Sequence, residues 1–94
     1  MKVEYSARAI RDLHEIAAYS RRQFGDRVTA ALETRIRDII AQIGNAPESA
    51  PRVAQRPGMR VMPLTRYPFR IFYRIEEYTV KILHIRHTAR VPLA

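Results

Sequence analysis

The sequence predicts an α+β fold: two N-terminal helices, paired as a helical hairpin, packed on one face of a small, mainly antiparallel sheet, in the order β-α-α-β-β-β. Three observations predict it. Apolar residues recur every three or four positions up to Ile43 and alternate from Arg60 onward, so the period changes from helical to extended. The stretch 44–58, GNAPESAPRVAQRPG, holds three prolines and two glycines and divides the two patterns. The 94 residues suffice for one modest core, so 1–94 reads as a single domain.

Residues 2–5 (KVEY) suit a short first strand. Ser6 is a good N-cap, because its hydroxyl can accept from a backbone N–H that the first helical turn leaves without a partner. Behind it Ile10, Leu13, Ile16, Ala17, Ser20 and Phe24 share one helical face. Gly25 ends this helix and Asp26 caps the next. The second helix carries its own stripe, Val28, Leu32, Ile36, Ile39, Ile40 and Ile43, and stops at Gly44-Asn45, with Pro47 preventing resumption.

Residues 60–65 (RVMPLT) suit a strand that Pro63 confines to an edge or a bulge, since proline cannot donate to a ladder. Residues 67–76 alternate: Phe69, Ile71, Tyr73 and Ile75 face one way, Arg70, Phe72 and Arg74 the other. Glu76-Glu77 marks a tight reversal without the glycine of an ideal hairpin. Residues 78–86 (YTVKILHIR) are apolar on both faces, as expected of a central or doubly covered strand. Two helices can cover only one face of the sheet, which leaves Arg70, Phe72 and Arg74 on an open one.

Composition narrows the chemistry. There is no cysteine, hence no disulfide, thiolate zinc site or cysteine nucleophile. His14, His84 and His87 have no metal-site spacing, and no metal or cofactor is expected. His84 reads as a core or sheet-face histidine and His14 as a solvent or helix-edge one. The charged N-terminus is unlike a signal peptide, and the apolar runs are too short to span a membrane. A reducing cytoplasm is the expected compartment, with no membrane partner.

The formal net charge of +8 is unevenly placed. Residues 1–51 hold eight Lys/Arg and seven Asp/Glu; residues 52–94 hold nine and two. Such asymmetry points to an anionic partner, either nucleic acid or an acidic protein segment. Arg60, Arg66, Arg70, Arg74, Arg86 and Arg90 form the basic set, suited to bidentate contact with phosphate or carboxylate. Arg70 and Arg74 share a strand face.

Three stretches carry a family resemblance. YSARAIRDLHEIAAYSRRQFG resembles the start of the RelE/ParE toxin superfamily, where a strand leads to S-x-x-A-x-x-D-L-x-x-I-x-x-Y and then a glycine. Ser6, Ala9, Asp12, Leu13, Ile16, Tyr19 and Gly25 stand at those positions. PGMRVMPLTRYPFRIFYRI is similar to the family's G-x-R and Y-x-x-x-Y segment, with Gly58, Arg60 and Tyr73 in place. VKILHIRHTARVP resembles the closing strand and its I-x-H-x-x-R tail, with His87 and Arg90. The likeness runs over about residues 3–92 and is nearest to the ParE branch, that of plasmid stabilisation proteins.

The resemblance implies the toxin of a bacterial type II toxin–antitoxin pair, with two helices packed on a small antiparallel sheet. It also implies a cognate antitoxin whose acidic or amphipathic C-terminal tail folds onto the toxin. Operator DNA would be met only through that antitoxin. ParE-type members inhibit DNA gyrase; RelE-type members cut mRNA on the ribosome. In the cutting branch lysines precede the Y-R-L-V-Y-like segment, and here those positions align with Met62 and Leu64, which cannot hold a phosphate. That branch's arginine is present as Arg70, while a second aligns with Thr88, two residues before Arg90.

The expectation is therefore a gyrase-binding toxin with no assigned catalytic residue. Its target and antitoxin contacts are drawn from Arg60, Arg66, Arg70, Phe72, Arg74, Arg86, His87 and Arg90, and the tail 86–94 is the favoured target contact. One alternative is a ribosome-dependent mRNA interferase using Arg70, His87 and Arg90, with His87 as acid or base. A second alternative is a non-toxic basic nucleic-acid-binding module.

Overall fold

The structure, a computed structural model, describes residues 1–88; the tail 89–94, and with it Arg90, lies outside the described residues. The chain runs β1 (Lys2–Tyr5), α1 (Ala7–Asn45), β2 (Met59–Pro63), β3 (Phe69–Glu76) and β4 (Thr79–His87). The four strands form one mixed sheet in the spatial order β1-β4-β3-β2. β2–β3 and β3–β4 are antiparallel and β1–β4 is parallel. β2 is an edge, as Pro63 requires, and Pro63 is its last residue.

The helical half differs from the sequence reading in one respect: α1 is traced as one element where the sequence predicts two helices, so the order is β-α-β-β-β. It is not straight. Its 39 residues would span about 58 Å as a straight helix, whereas the molecule's longest extent is 38 Å. The reversal is at Gly25, with φ 87° and ψ 178°, a conformation that only glycine reaches without strain. The Thr29 hydroxyl lies 2.9 Å from both the Gly25 carbonyl and Ser20 Oγ, tying the arms together. Leu13, Ile16 and Ala17 of the first arm line one groove with Leu32, Ile36 and Ile40 of the second. The Asp26 carboxylate, expected to cap a second helix, pairs with Arg21 at 3.3 Å. Gly25→Ala is expected to cost about 1–3 kcal/mol through backbone strain alone, because a Cβ there meets nothing within 4 Å. Chemical denaturation checks this; an unmoved midpoint would mean that the reversal does not need a left-handed residue.

The two arms contribute unequally. Leu32, Ile36, Ile39, Ile40 and Ile43 of the second arm are all buried. At about 1.5–3 kcal/mol for each large side chain, they supply on the order of 10 kcal/mol as an upper estimate. In the first arm Ala9 and Ser20 are buried, and Leu13 and Ile16 pack partly against the core. Ile10, Phe24 and Val28, placed on apolar stripes by the sequence pattern, are 41%, 63% and 42% exposed. The inward face of the first arm runs through Ala9, Leu13, Ile16 and Ser20, one position back from Ile10. Phe24 and Val28 flank the reversal. With less apolar burial, the first arm depends more on polar ties: Ser6 caps it by accepting from the Ala9 N–H (2.9 Å) and donates its own hydroxyl to the Leu83 carbonyl (2.6 Å).

Gly44 lies inside α1, not beyond its end. Its reason is proximity: a Cβ there would sit 3.1 Å from Val3 Cγ2 and 3.4 Å from the Met1 carbonyl. The connection after α1 is irregular, as predicted, but it is held down. Ala50 is buried, the Tyr73 hydroxyl donates to the Pro47 carbonyl (2.6 Å), and Arg60 donates to the carbonyls of Glu48 (3.1 Å) and Ala50 (2.7 Å).

Candidate binding site on the open sheet face

The site begins with the β3–β4 hairpin. Glu76 pairs with Thr79, so two residues, Glu77 and Tyr78, make the turn, and neither has a positive φ. On β3 the predicted alternation holds: Ile71 and Tyr73 are fully buried toward α1, while Arg70 and Arg74 are exposed on the other face with Phe72 half-buried between them. On β4 the pairing slips beside Phe72 and Tyr73, because Phe72 faces His84 while Tyr73 faces Ile82. Leu83 is the extra residue of a β-bulge. Val80 and Ile82 before it, and Ile85 after it, point into the core. The bulge thus explains the apolar pattern on both faces of this strand. β4 is central but not doubly covered. The same shift of phase brings His84 and Arg86 onto the face of Arg70 and Phe72.

That face therefore carries a short cationic and aromatic strip. Arg70 and Arg86 are direct cross-strand partners, both exposed. Phe72 and His84 are the next pair, their rings stacked with centroids 4.5 Å apart and planes 9° from parallel. Arg74 follows opposite Lys81, and its guanidinium binds Glu76 (2.9 Å). Arg66 sits in the β2–β3 turn with φ 78°, exposed. Arg60 stands apart. It faces the helix side beside Tyr73, and the connection 46–58 occupies its guanidinium through the carbonyls of Glu48 and Ala50.

His87 is on the other side of the sheet from Arg70. It pairs with Phe69, the two rings meeting edge to face at 5.1 Å. There it helps to line a cavity of about 410 Å³ between α1 and the end of β4, together with Arg8, Asp12, Glu15, Tyr19 and Phe69, and Arg86 reaches its rim from the end of β4. Asp12 is the key to this corner. β1 covers only the first half of β4, through Ile82. Beyond that point a side chain does what a strand would do: Asp12 Oδ2 accepts the Ile85 N–H at 2.9 Å. Arg8, one turn earlier, lies 3.9 Å from the same oxygen.

His84 is the residue whose part the sequence understates. Its Nδ1 is enclosed and has no hydrogen-bond partner among the described residues. Its pKa is lowered, first by burial, then by the Arg8 and Arg86 guanidinium groups; Asp12 opposes the shift and Arg56 adds a little to it. The neutral ring is therefore the folded form at neutral pH. The unfolded chain takes up its proton first, near the ordinary histidine value of about 6.5. The stability due to the neutral ring is thus complete above that pH and is lost as pH falls toward the lower folded value. His84→Phe should flatten the stability profile between roughly pH 7 and pH 5, as followed by thermal melts. A wild-type profile already flat over that range would contradict the assignment.

Among the described residues no cluster of His, Asp and Glu is arranged to hold a metal ion, and no helix is long and apolar enough to cross a membrane.

A small helical layer on one face of a mixed four-stranded sheet is the fold that this chain shares with RelE- and ParE-type toxins. The chain resembles a chain of the chromosomal ParDE toxin–antitoxin system from P. aeruginosa, with a TM-score of 0.75 and 25% identity, covering 93% of this chain and 95% of that one. It shares its fold with the isolated E. coli RelE toxin (TM-score 0.62, 15% identity, 97% and 87% covered). It likewise shares it with a chain of the intact E. coli RelBE complex (TM-score 0.63, 15% identity, 95% and 98% covered). No curated protein sequence matches the chain. The family described as the ParE toxin of the type II toxin–antitoxin system, parDE, matches residues 3–92, and the chain belongs to that family.

Proposed function

We propose that this toxin acts by binding and not by cutting: it inhibits DNA gyrase, and a cognate antitoxin neutralises it with an acidic or amphipathic tail. The observation that carries this reading is the placement of Arg70 and His87 on opposite faces of the sheet. RNA cleavage needs a proton-transfer group within about 3 Å of the reacting oxygen, on the same phosphate that the cations hold. Strand alternation points Arg70 and His87 to opposite faces, and the arginines that do share the His87 cavity, Arg8 and Arg86, stand there beside the carboxylates of Asp12 and Glu15. Met62 and Leu64 add to the argument. Both serve the core, Leu64 at 2% exposure and Met62 packed against it, so the positions that the cutting branch gives to lysine have packing duties in this chain.

Arg66, Arg70, Phe72, Arg74 and Arg86 are the contact residues on this reading, with His87 at the end of β4 and Arg90, which lies outside the described residues, as further candidates. Arg60 is left out, because it faces the helix side and its Nη1 is tied to the Glu48 and Ala50 carbonyls. A supercoiling assay with purified gyrase tests the reading. Added protein should block supercoiling in proportion to its concentration, and prior mixing with the antitoxin should restore it. Full supercoiling at a large molar excess of folded protein would defeat the proposal.

A further inference from the structure

We propose that the Arg70–Arg86 end of the open sheet face is a seat for the phosphodiester backbone of duplex DNA. Two like charges placed directly opposite one another on adjacent strands destabilise a sheet. Arg70 and Arg86 are such a pair, exposed on one face. Among the described residues neither has an acidic partner in ion-pair contact. The other cation pair on this face is different. Arg74 is bound by Glu76, and Lys81 has Glu4 as its neighbour across β1, on the same face. The strip is neutralised at one end and left positive at the other, about 13 Å away along β3.

The surroundings sharpen this end. Arg86 is one of the guanidinium groups that hold the neighbouring His84 pKa down, with Arg8 on the α1 side of the same strand end and Asp12 opposing them. Asp12, however, has one oxygen committed to the Ile85 N–H. Two cations side by side raise the local concentration of an anion, and paired guanidinium groups match the oxygens of a phosphate. Both arginines stand on paired strands, so their backbone is already ordered before binding.

The observations favour duplex DNA over the other polyanions. Single-stranded nucleic acid is held by open aromatic faces on which bases stack. Here the Phe72 and His84 rings are stacked on each other and half-buried. An extended acidic peptide adds to a free strand edge, but β3 is an inner strand, and on β4 beyond the end of β1 the Ile85 N–H is already taken by Asp12. Gyrase holds duplex DNA, so the seat gives the toxin a contact with its target's substrate; it rests on the gyrase reading for that setting alone.

The test is fluorescence anisotropy of the folded chain with a short labelled duplex over a salt series, compared with an R70Q/R86Q variant. Removing two arginine–phosphate pairs should make the plot of log affinity against log salt shallower by about 1.8. Affinity at low salt should fall about tenfold or more, each pair contributing a factor of several. Melting curves confirm folding, and the variant should melt no lower than wild type, since it is relieved of a repulsion. R74Q, whose cation is already paired, should change the slope less than R70Q. The proposal is overturned if the double variant keeps the wild-type slope. It is also overturned if wild type binds the corresponding single strand more tightly than the duplex, or if the variant loses binding to a poly-glutamate peptide while keeping duplex binding. The assay contains no gyrase. Intact duplex binding beside a failed supercoiling block would therefore sink the gyrase reading and spare the seat; the reverse would sink the seat alone.

Discussion

Tyr73→Ala should be the most damaging substitution in the chain, at about 3–5 kcal/mol. Tyr73 is the largest fully buried side chain, on the core face of β3. Truncation removes its ring from the centre of the sheet–helix interface and leaves a cavity. It also frees the Pro47 carbonyl, which the phenol holds at 2.6 Å and with which the connection after α1 is fastened to the sheet. Burial raises the phenol pKa, an effect that Arg60 and the Ala50 backbone partly offset, so the hydroxyl stays protonated and donates. Tyr73→Phe separates the two parts: it keeps the packing and should lose only about 1 kcal/mol. For a domain of this size the alanine variant should lower Tm by roughly 15 °C or more. Equal losses for the two variants would show that the hydroxyl, and not the ring, carries the effect.

Asp12→Ala is expected to cost about 1–3 kcal/mol, the penalty for leaving a partly buried backbone N–H without its partner. The effect should also be local. Asp12 stands in for a missing strand along the second half of β4, where its carboxylate accepts from Ile85. Without it the end of β4, with Arg86 and His87, should fray first. Hydrogen exchange at Ile85 and its neighbours reports this directly, with faster exchange there and little change at Val80 or Ile82. Asp12→Asn retains a carbonyl acceptor and should recover part of the loss. Uniform acceleration across β4 would mean that Asp12 supports the whole fold and not this corner.

How much of this is legible in the sequence depends on the range of the interaction concerned. Local patterns are clear. Ser6 as cap, the alternation of Ile71 and Tyr73 against Arg70 and Phe72, and Pro63 at an edge all follow from neighbours along the chain, and all are present in the structure. Gly25 reads as a break, but glycine marks both a helix end and a kink, and only its φ and ψ distinguish them. The bulge at Leu83 has no local signal. It shows only as an apolar residue out of phase, which reads equally well as a strand covered on both faces. That ambiguity hides the pairing of His84 with Phe72 and the parting of His87 from Arg70. Arg60 illustrates a second limit. A basic residue in a basic stretch gives no sign that backbone carbonyls ten and twelve positions earlier will occupy it. Conversely, Asp12 stands in the most recognisable motif, and its task becomes visible only once β4 lies beside α1.

Inducible expression in bacteria, with DNA supercoiling and bulk translation followed in parallel, tests the central claim most directly. A toxin that binds gyrase should cause loss of supercoiling, DNA breaks and filamentous cells while translation continues. Early arrest of translation with intact, normally supercoiled DNA would contradict the account and return Arg70, His87 and Arg90 to the roles of an mRNA-cleaving site.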